Sequence, residues 1–370
     1  MQASSSGNEV LAHGDVAGYL LQRGLLQARW VVDGALVVRD MSRRNRNFAL
    51  DGGGSSPSYF LKQGLDPDGA ATVLHESAVY TRFSAPGCAM ARYLPHFFGY
   101  DADRGILILE LVPGACDLRA HHLRTGRFSI TLARGIGDAL GVLHSETVAQ
   151  VRLIDPGATP WVLSIHRPDL GVFREASAAS LDLIKIVQTA SGFGKHLDRL
   201  RSTWRSSALI HQDLKWENFL ACRPAGSSKM TLRIIDWEAV CPGDPCWDIG
   251  SVFGHYLSFW LQSIPITGRD LPARFPDLAR HPLHRMQPAL RACWRAYTTR
   301  LGLDDASSAS LLLRAVSFAG AGLVVTAYAA AQMSTHLDSN LILHLQLAMN
   351  ILARPSEAAE RLLGFAAGVD

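Results

Sequence analysis

Lysine is scarce in this sequence, with only five lysines among 36 basic residues, at positions 62, 185, 195, 215 and 229. Charged residues make up 19% of the 370 residues, and the formal net charge is only +3. Because this small charge is not gathered into a basic patch, the sequence argues against nucleic-acid binding. The scarcity of lysine also makes Lys62 and Lys215 stand out among the basic residues.

The sequence also lacks paired cysteine patterns. Its six cysteines form no C-x-x-C pair and have no histidine partners at zinc spacing, so a zinc site is not predicted. Scattered thiols are typical of a reducing compartment, and the first nine residues have neither the basic nor the apolar region of a secretion signal. We therefore expect a cytoplasmic protein.

The uncharged run at residues 315–333 is long enough in principle to cross a bilayer. It is rich in glycine and alanine, it contains Ser317, Thr326 and Gln332, and it has no polybasic flank. These features favour a buried helix over a membrane span. No membrane partner is therefore expected.

The chain is longer than a single hydrophobic core usually supports, so two lobes are expected, each with its own core. Hydrophobic residues make up 48% of the sequence, which is typical of a compact protein and argues against disorder.

The stretch from 211 to 220, HQDLKWENFL, carries the strongest chemical signal. Asp213 is followed five residues later by Asn218, and a second apolar strand, residues 232–235, ends in Asp236. Two short strands joined by a turn would bring these three side chains around one small volume. Phosphoryl transfer needs such a group, with a carboxylate to orient the acceptor hydroxyl and oxygen ligands for Mg²⁺.

The spacing matches the kinase catalytic loop, H-x-D-x-x-x-x-N, followed by a metal-binding aspartate. The next segments, DWEAV at 236–240 and GDPCWDIG at 243–250, resemble the aminoglycoside phosphotransferase family of kinase-like enzymes. That family places its metal-binding aspartate in a short D-W/F-E segment and follows it with G-D-P-x-x-D. The resemblance implies a phosphotransferase that uses ATP and Mg²⁺ and has an alcohol group as acceptor.

The resemblance also implies roles for individual residues. Asp213 is the base that orients the acceptor hydroxyl or takes its proton, and Asn218 and Asp236 are the Mg²⁺ ligands. Lys215 lies two residues after the base, where protein kinases also place a lysine and where many aminoglycoside enzymes have none, and it is expected to contact the transferring phosphate. Asp248 is expected to bond backbone N–H groups of the catalytic loop and so to be structural.

Three neighbouring polar residues are predicted to have no chemical role. His211 is expected to be a packed scaffold residue of the loop. Asp244 is expected to cap a helix. Glu238, close to Asp236, is placed either at the metal or in solvent, and solvent is the expectation.

The first third of the chain predicts a small sheet. Strands are expected at 35–39, 48–50 and 59–63, separated by a turn at 42–47 and a glycine-rich turn at 51–57. This order of strands and turns resembles the N-lobe that covers ATP in kinase-like enzymes.

Three residues of this region are predicted to serve ATP. Lys62 is the expected contact of the α- and β-phosphates, and Glu76 on the following helix is its expected ion-pair partner. Arg46, on the 42–47 turn, is a further candidate for ATP binding.

A hairpin at 97–109 should lead into the hinge between the lobes, where backbone groups of Glu110 and Val112 would pair with adenine. We predict an α+β, bilobal protein-kinase-like fold, with a small antiparallel-sheet N-lobe at 1–112 and a larger, mainly helical C-lobe at 113–370. The helices of the C-lobe are expected near 131–144, 176–205, 249–262, 284–302, 308–333 and 339–364.

The acceptor leaves three classes of function open. The first is a small-molecule kinase acting on an antibiotic, sugar or amino alcohol. The second is a kinase for Ser/Thr of a precursor peptide, working with a partner lyase, because residues 42–47 and 161–168 resemble the stand-alone kinases of lanthipeptide and thioviridamide-like pathways. The third is a pseudokinase binding module, which the presence of Lys62, Asp213 and both metal-ligand candidates disfavours.

The charges of the C-terminal third argue against aminoglycosides as acceptors. Residues 251–370 contain ten arginines, no lysine and eight acidic residues. A cleft that selects a polycationic acceptor needs a surplus of carboxylates. An acidic or neutral acceptor is therefore expected, and the candidate contacts are His166, Arg167 and the arginines at 285, 291 and 295.

Overall fold

The computed structural model describes residues 10–34, 36–53, 57–151, 158–224, 226–227, 229–266 and 274–365. Its strands are β1 (Val37–Asp40), β2 (Arg46–Asp51), β3 (Tyr59–Gln63), β4 (Phe97–Asp101), β5 (Ile106–Glu110), β6 (Cys116–Asp117), β7 (Ala208–Ile210), β8 (Phe219–Cys222), β9 (Thr231–Ile234) and β10 (Cys241–Gly243). Its helices are α1 (Val16–Gln22), α2 (Ala28–Val32), α3 (Pro67–Phe83), α4 (Leu118–Thr125), α5 (Ile130–Val151), α6 (Leu170–Glu175), α7 (Ala178–Thr189), α8 (Phe193–Ser202), α9 (Pro245–Gln262), α10 (Phe275–Leu278), α11 (Leu283–Leu301), α12 (Asp305–Ala331), α13 (Ser339–Ala353) and α14 (Pro355–Arg361).

The chain divides into two compact units. The first runs up to Asp117 and includes Asn218–Val240, and the second consists of Leu118–Glu217 and the chain from Cys241 onward. The predicted α+β fold is confirmed, because the first unit is built on antiparallel sheets and the second is mainly helical. The predicted lobe boundary at 112/113 stays a prediction, and the first segment of the first unit ends five residues later.

The larger sheet of the first unit has the strand order β1-β2-β3-β5-β4, and every neighbouring pair is antiparallel. Alternating residues of β2 and β3 point to one face, so Phe48, Leu50 and Leu61 are buried together in the core of this unit. The register places Asn47 opposite Lys62. Lys62 therefore lies near the end of a central strand, where the sheet fixes its backbone.

Helix α3 follows β3 and carries Glu76. Its N-terminus is well defined, because Asp66 accepts a hydrogen bond from the Gly69 N–H at 2.6 Å and Pro67 occupies the first turn. The helix buries Val73, Glu76 and other residues of one face. A fixed start to α3 sets the position of Glu76 on that face.

The smaller sheet of the first unit joins β6, β8 and β9. Strands β8 and β9 form an antiparallel hairpin in which Phe219 lies opposite Ile234. The Ile235 N–H donates to the Asn218 carbonyl at 3.0 Å, so the pairing continues one step past the strands. Asn218 and Asp236 therefore lie at the same end of this hairpin.

The second unit is a helical bundle with a two-stranded β7–β10 sheet at one side. Helix α5 packs along α11 so closely that a Cβ atom on Gly137 would lie 2.0 Å from the Cys293 carbonyl oxygen. Glycine is therefore required at that crossing. Helix α12 packs against α9 and α13.

Helix α12 contains most of the uncharged run 315–333. It is long and apolar enough to span a membrane, but half of its most apolar window is buried inside the fold. Its buried residues include Val316, Phe318 and Leu323. This burial agrees with the prediction of a core helix.

Three boundary predictions are wrong. The helix expected at 131–144 is α5, which continues seven residues further, to Val151. Arg46 and Asn47 belong to β2 rather than to the preceding turn, because both pair with β3. The single helix expected at 339–364 is two helices, α13 and α14, because Pro355 cannot continue a helix and Arg354 adopts φ −139°, outside the helical region. Residues 35 and 54–56 of the predicted strand and turn lie outside the described residues.

Candidate active site

The first unit contains an ion cluster around the buried side chain of Lys62. Its ammonium nitrogen lies 2.8 Å from Glu76 Oε2, 2.9 Å from Asp236 Oδ1 and 2.8 Å from Glu238 Oε2. The predicted Lys62–Glu76 ion pair is present. We call these four residues the Lys62 cluster.

Burial lowers the pKa of Lys62, but the carboxylates of Glu76 and Asp236 outweigh burial and raise the pKa above its usual range. Lys62 is therefore fully charged at neutral pH. Three carboxylates surround this one ammonium group, so the ionised cluster carries a formal charge of −2. Buried charges are costly unless paired, and a cluster with this surplus favours a cation.

Glu76 holds two elements of the first unit together. One carboxylate oxygen accepts from Lys62, and the other, Oε1, accepts from the Trp237 N–H at 3.1 Å. The Trp237 indole is fully buried, donates to the Ile234 carbonyl at 2.9 Å and packs edge-on against Phe83. Helix α3 is thereby fixed to the turn that follows β9.

Asp236 itself has an unusual backbone, with φ 67° and ψ 56° in the left-handed region. Non-glycine residues adopt it rarely, and aspartate and asparagine tolerate it best. This turn after β9 directs both Asp236 and Glu238 towards Lys62. The prediction that Glu238 faces solvent is wrong, because its carboxylate accepts from Lys62. No sequence pattern reveals the backbone reversal at Asp236 that places it there.

The donors at this end of the hairpin fit a divalent cation. Ligand oxygens of Glu76, Asp236 and Glu238 all lie within 4.8 Å of one another. Asn218 is buried at the same end of the β8–β9 hairpin as Asp236. Carboxylate and amide oxygens are the ligands that Mg²⁺ prefers, so these residues are suited to holding it.

The three remaining nucleotide candidates are placed as follows. Arg46 lies on β2, 3.9 Å from the Asp40 carboxylate. The Glu110 N–H donates to the His96 carbonyl at 2.8 Å, and the Val112 carbonyl accepts from the Ala115 N–H. Adenine pairing at this segment would therefore involve the Glu110 carbonyl and the Val112 N–H.

The second unit carries residues 211–217 of the predicted catalytic loop, and we call this segment the catalytic loop. Asp213 is 50% exposed, and its Oδ2 accepts from the Lys215 ammonium group, 41% exposed, at 2.8 Å. The loop thus presents a carboxylate and an ammonium group side by side to solvent.

Asp248, on α9, holds the backbone of this loop. Its Oδ2 accepts from the His211 N–H at 2.8 Å and its Oδ1 accepts from the Gln212 N–H at 3.1 Å. His144 Nε2 lies 3.2 Å from the same Oδ2, and Tyr297 bonds the other ring nitrogen of His144. Both Asp248 and His211 are fully buried, as the structural roles predicted for them require.

Gln212 stores backbone strain in the loop, since its φ is 69°. Three contacts keep it there: its N–H bonds Asp248, its carbonyl accepts from Trp247 Nε1 at 2.9 Å, and its Oε1 accepts from Cys241 Sγ at 2.7 Å. Burial raises the pKa of Cys241 to about 11, so this thiol stays protonated and can donate. This strained conformation could not be predicted from the sequence.

The predicted cap of α9 is also present. Asp244 Oδ1 accepts from the Cys246 N–H at 3.0 Å, which satisfies a free donor of the first turn. Its Oδ2 accepts from the Arg205 N–H at 3.0 Å and pairs with Arg314.

Sequence reasoning missed two residues of the second unit near the loop. His255, on α9, is partly buried, and the charges that act on its ring include Glu217, Asp213 and Lys215. Arg119 on α4 lies 3.8 Å from the Glu217 carboxylate. Spacing along α9 gives a signal for His255, because it lies seven residues, about two helical turns, after Asp248.

The sequence and the fold both have known counterparts. Residues 38–294 match the phosphotransferase enzyme family (APH). No curated protein is similar enough in sequence to match the chain.

Among solved structures, the chain resembles a Plasmodium vivax ethanolamine kinase, with 15% identity, a TM-score of 0.54, and coverage of 94% of this chain and 90% of that one. It also resembles a choline kinase from Cryptosporidium parvum, with 11% identity, a TM-score of 0.55, and coverage of 95% and 99%. At these identities the likeness establishes the kinase-like fold.

Proposed function

Because this chain belongs to the phosphotransferase enzyme family, we propose that it transfers the γ-phosphate of ATP to a hydroxyl group of a small-molecule acceptor, with Mg²⁺ as cofactor. Family membership supports the reaction class, a phosphotransferase acting on an alcohol group. The Lys62 cluster is the observation that carries the nucleotide role, because a buried ammonium group among three carboxylates suits a metal-bound polyphosphate.

The residues of the first unit have distinct roles in this proposal. Lys62 binds the phosphates of ATP, and Glu76 keeps its ammonium group in place. Asn218 and Asp236 hold Mg²⁺, with Glu238 as a neighbouring carboxylate. The bound cation would neutralise phosphate charge.

The residues of the second unit act on the acceptor. Asp213 orients the acceptor hydroxyl and takes its proton as the hydroxyl oxygen bonds to the γ-phosphorus and ADP leaves. Lys215, paired with Asp213 in the free protein, neutralises negative charge on the transferred phosphate. Asp248 and His144 support the loop backbone and have no part in the chemistry.

The choice of a small molecule as acceptor follows the reaction class of the family. The ethanolamine and choline kinases that share the fold are named for small alcohols, which is in line with this choice. A peptide Ser/Thr acceptor with a partner lyase stays a prediction from the sequence, and it is one outcome of the test.

The test is a coupled assay of ADP formation with Mg-ATP and a panel of hydroxyl compounds. The panel comprises amino alcohols, sugars, hydroxy acids, aminoglycosides and Ser/Thr-containing peptides, and ³¹P NMR locates the phosphate on the product. We expect a small-molecule ester that forms in the wild type and not in Asp213→Asn. A phosphopeptide as the only product would replace the small-molecule proposal, and no ADP above the Asp213→Asn level with any compound would refute both.

Aminoglycosides are expected to be poor substrates within this panel. The acidic and basic counts of residues 251–370 leave no surplus of carboxylates. A kcat/KM for an aminoglycoside above about 10⁴ M⁻¹s⁻¹, the lower edge for native substrates, would contradict this expectation.

A further inference from the structure

The second unit contains a cleft of about 300 Å³ at the C-terminal end of α9. Its polar lining includes Gln262, Arg280 and His281, and its apolar lining includes Leu123, Phe259 and Leu278. The segment after α10 is fixed to α9, because the Arg280 N–H and the His281 N–H both donate to Ser263, at 3.0 and 3.1 Å. None of the residues given a role in phosphoryl transfer lines this cleft.

Arg119 lies at the edge of the cleft. Its guanidinium group is 5.9 Å from the centre of the Phe259 ring, and its Nη2 donates to Gln262 Oε1 at 2.8 Å. Together with Arg280 it brings two guanidinium groups to this cleft. Guanidinium groups bind carboxylate and phosphate groups with paired, charge-assisted hydrogen bonds.

A chain of hydrogen bonds fixes the orientation of Gln262. The Asn340 carbonyl can only accept, so His344 Nδ1, at 2.8 Å, carries the hydrogen and its Nε2 accepts from Ser258 Oγ at 2.9 Å. Ser258 Oγ then accepts from Gln262 Nε2 at 3.0 Å, which leaves Gln262 Oε1 for Arg119. Burial lowers the pKa of His344, in agreement with a neutral ring. The chain of hydrogen bonds that starts at the buried His344 therefore fixes the position of the Arg119 guanidinium group.

The cleft lies along the same face of α9 as the catalytic loop. His255, Phe259 and Gln262 are spaced i, i+4 and i+7, so they share one side of the helix. Arg119, which bonds Gln262 at the cleft, also lies 3.8 Å from Glu217 of the loop, so the loop is close to the cleft. Seven residues of an α-helix span about 10 Å, so His255 and Gln262 lie about two helical turns apart along this face.

We propose that this cleft binds an anionic group, a carboxylate or a phosphate, on the acceptor whose hydroxyl meets Asp213. This inference rests on the proposed function and narrows it to acceptors that carry an anionic group as well as the hydroxyl. Arg119 and Arg280 supply the positive charge, and Glu217, exposed and 3.8 Å from Arg119, offsets part of it. Burial, Arg280 and Arg285 lower the pKa of His281, and a bound anion would raise it again.

The binding test uses the full chain with inorganic phosphate and with succinate as probes. The ring signal of His281, assigned with His281→Asn, is followed by NMR against chloride at matched ionic strength. A saturable shift is expected with at least one probe. Arg119→Gln and Arg280→Gln should each weaken the affinity about tenfold, the value of one charge-assisted bond. Arg201→Gln, an exposed arginine on α8, is the matched control and should not weaken it.

The two probes also identify the source of the anion. Saturation by phosphate alone indicates a phosphate group, and saturation by succinate alone indicates a carboxylate. A response no larger than that to chloride, or equal weakening by Arg201→Gln, would overturn the cleft as an anion site.

The link to the acceptor is tested with pairs of alcohols that differ only in a carboxylate or its carboxamide. The acid should have a KM about tenfold lower than the amide, and Arg280→Gln should abolish the difference. Equal KM values in the wild type would refute the link. Stabilisation by Mg-ATP is measured on the same samples. If it is present while no anion binds, the cleft proposal alone fails, and if anions bind without it, the kinase proposal fails instead.

Discussion

The two charged regions of this protein are stabilised in opposite ways. In the Lys62 cluster the side chains bond one another; Lys62 and Glu76 are buried, 8% and 2% exposed, and Asp236 and Glu238 are partly buried, 29% and 25% exposed. In the catalytic loop the side chains of Asp213 and Lys215 are about half exposed. In that loop the backbone N–H groups of His211 and Gln212 are bonded to the buried carboxylate of Asp248.

In the catalytic loop, different residues serve catalysis and stability, whereas in the Lys62 cluster the same residues serve both. In the catalytic loop, the exposed carboxylate of Asp213 can be changed without disturbing the fold, while Asp248 supports the fold without touching a reactant. In the Lys62 cluster, the charges that would meet the nucleotide also pair with one another. Substitutions in the loop should therefore affect either kcat or stability, and substitutions in the cluster should affect both.

The largest effect is expected from Asp213→Asn. Removal of a positioned acid/base group should lower kcat by roughly 10²–10⁴. The melting temperature should not change, because the side chain is half exposed. Steady-state kinetics and a melting scan measure the two quantities, with Asp182→Asn on the exposed side of α7 as the control. A kcat near the wild-type value would remove Asp213 as the base.

Asp248→Ala tests how much the bonded backbone of the same loop contributes to stability. The substitution leaves two backbone N–H groups and His144 without their buried acceptor, which should cost about 3 kcal/mol or more of the free energy of unfolding. Urea unfolding measures this loss, and Asp182→Ala is the matched exposed control. An unfolding free energy within about 1 kcal/mol of wild type, the range of one ordinary hydrogen bond, would show that the loop does not depend on this residue.

Much of the fold could be predicted because local rules agree with tertiary packing. Strand β3 has the predicted bounds, and the hairpin at 97–109 forms as expected, since two apolar segments flank a clear turn. Helix α13 ends earlier than predicted because apolar periodicity continues past Arg354 while Pro355 interrupts the helix.

The site could be predicted only in part. The partners Lys62 and Glu76 follow from their order along the chain, and Asp248 from its place after the loop. The contact between Glu238 and Lys62 depends on the left-handed backbone of Asp236. The chain of hydrogen bonds from His344 to Arg119 depends on helices that are distant in sequence. Contacts of this kind are set by tertiary packing, and no local pattern encodes them.

Asp236→Asn tests the shared role of the Lys62 cluster. Asparagine tolerates the left-handed backbone, so the fold should be kept with a small loss of stability, since Lys62 retains Glu76 and Glu238. The neutral amide should bind Mg²⁺ less well. Wild-type protein should gain about 2.7 kcal/mol from Mg-ATP at 100 times its Kd, and the variant should lose most of this gain. Melting scans with and without Mg-ATP measure it, and an unchanged gain would exclude Asp236 as a ligand.

The smallest effect is expected from His122, a buried, neutral histidine that packs against the catalytic loop. His122 on α4 is buried, packs against Trp216 with ring centres 4.7 Å apart and bonds the Arg127 carbonyl at 2.7 Å. Burial lowers its pKa to about 4. In the unfolded chain the pKa returns to about 6.5, so the unfolded state binds more protons between these values and stability falls as pH falls below 6.5.

The expected loss from this histidine is roughly 2 kcal/mol between pH 7.5 and pH 5, and it stops growing below pH 4. Urea unfolding across this range measures the loss, and NMR of the His122 ring gives the pKa in the folded protein directly. His122→Asn keeps a donor for the Arg127 carbonyl but cannot titrate, so it should flatten this part of the profile, whereas His336→Asn on an exposed turn should not. A His122 ring that titrates near pH 6.5 in the folded protein would show that a charged group can pack against Trp216. The catalytic loop and the Lys62 cluster would then not differ in whether buried charge packs beside them.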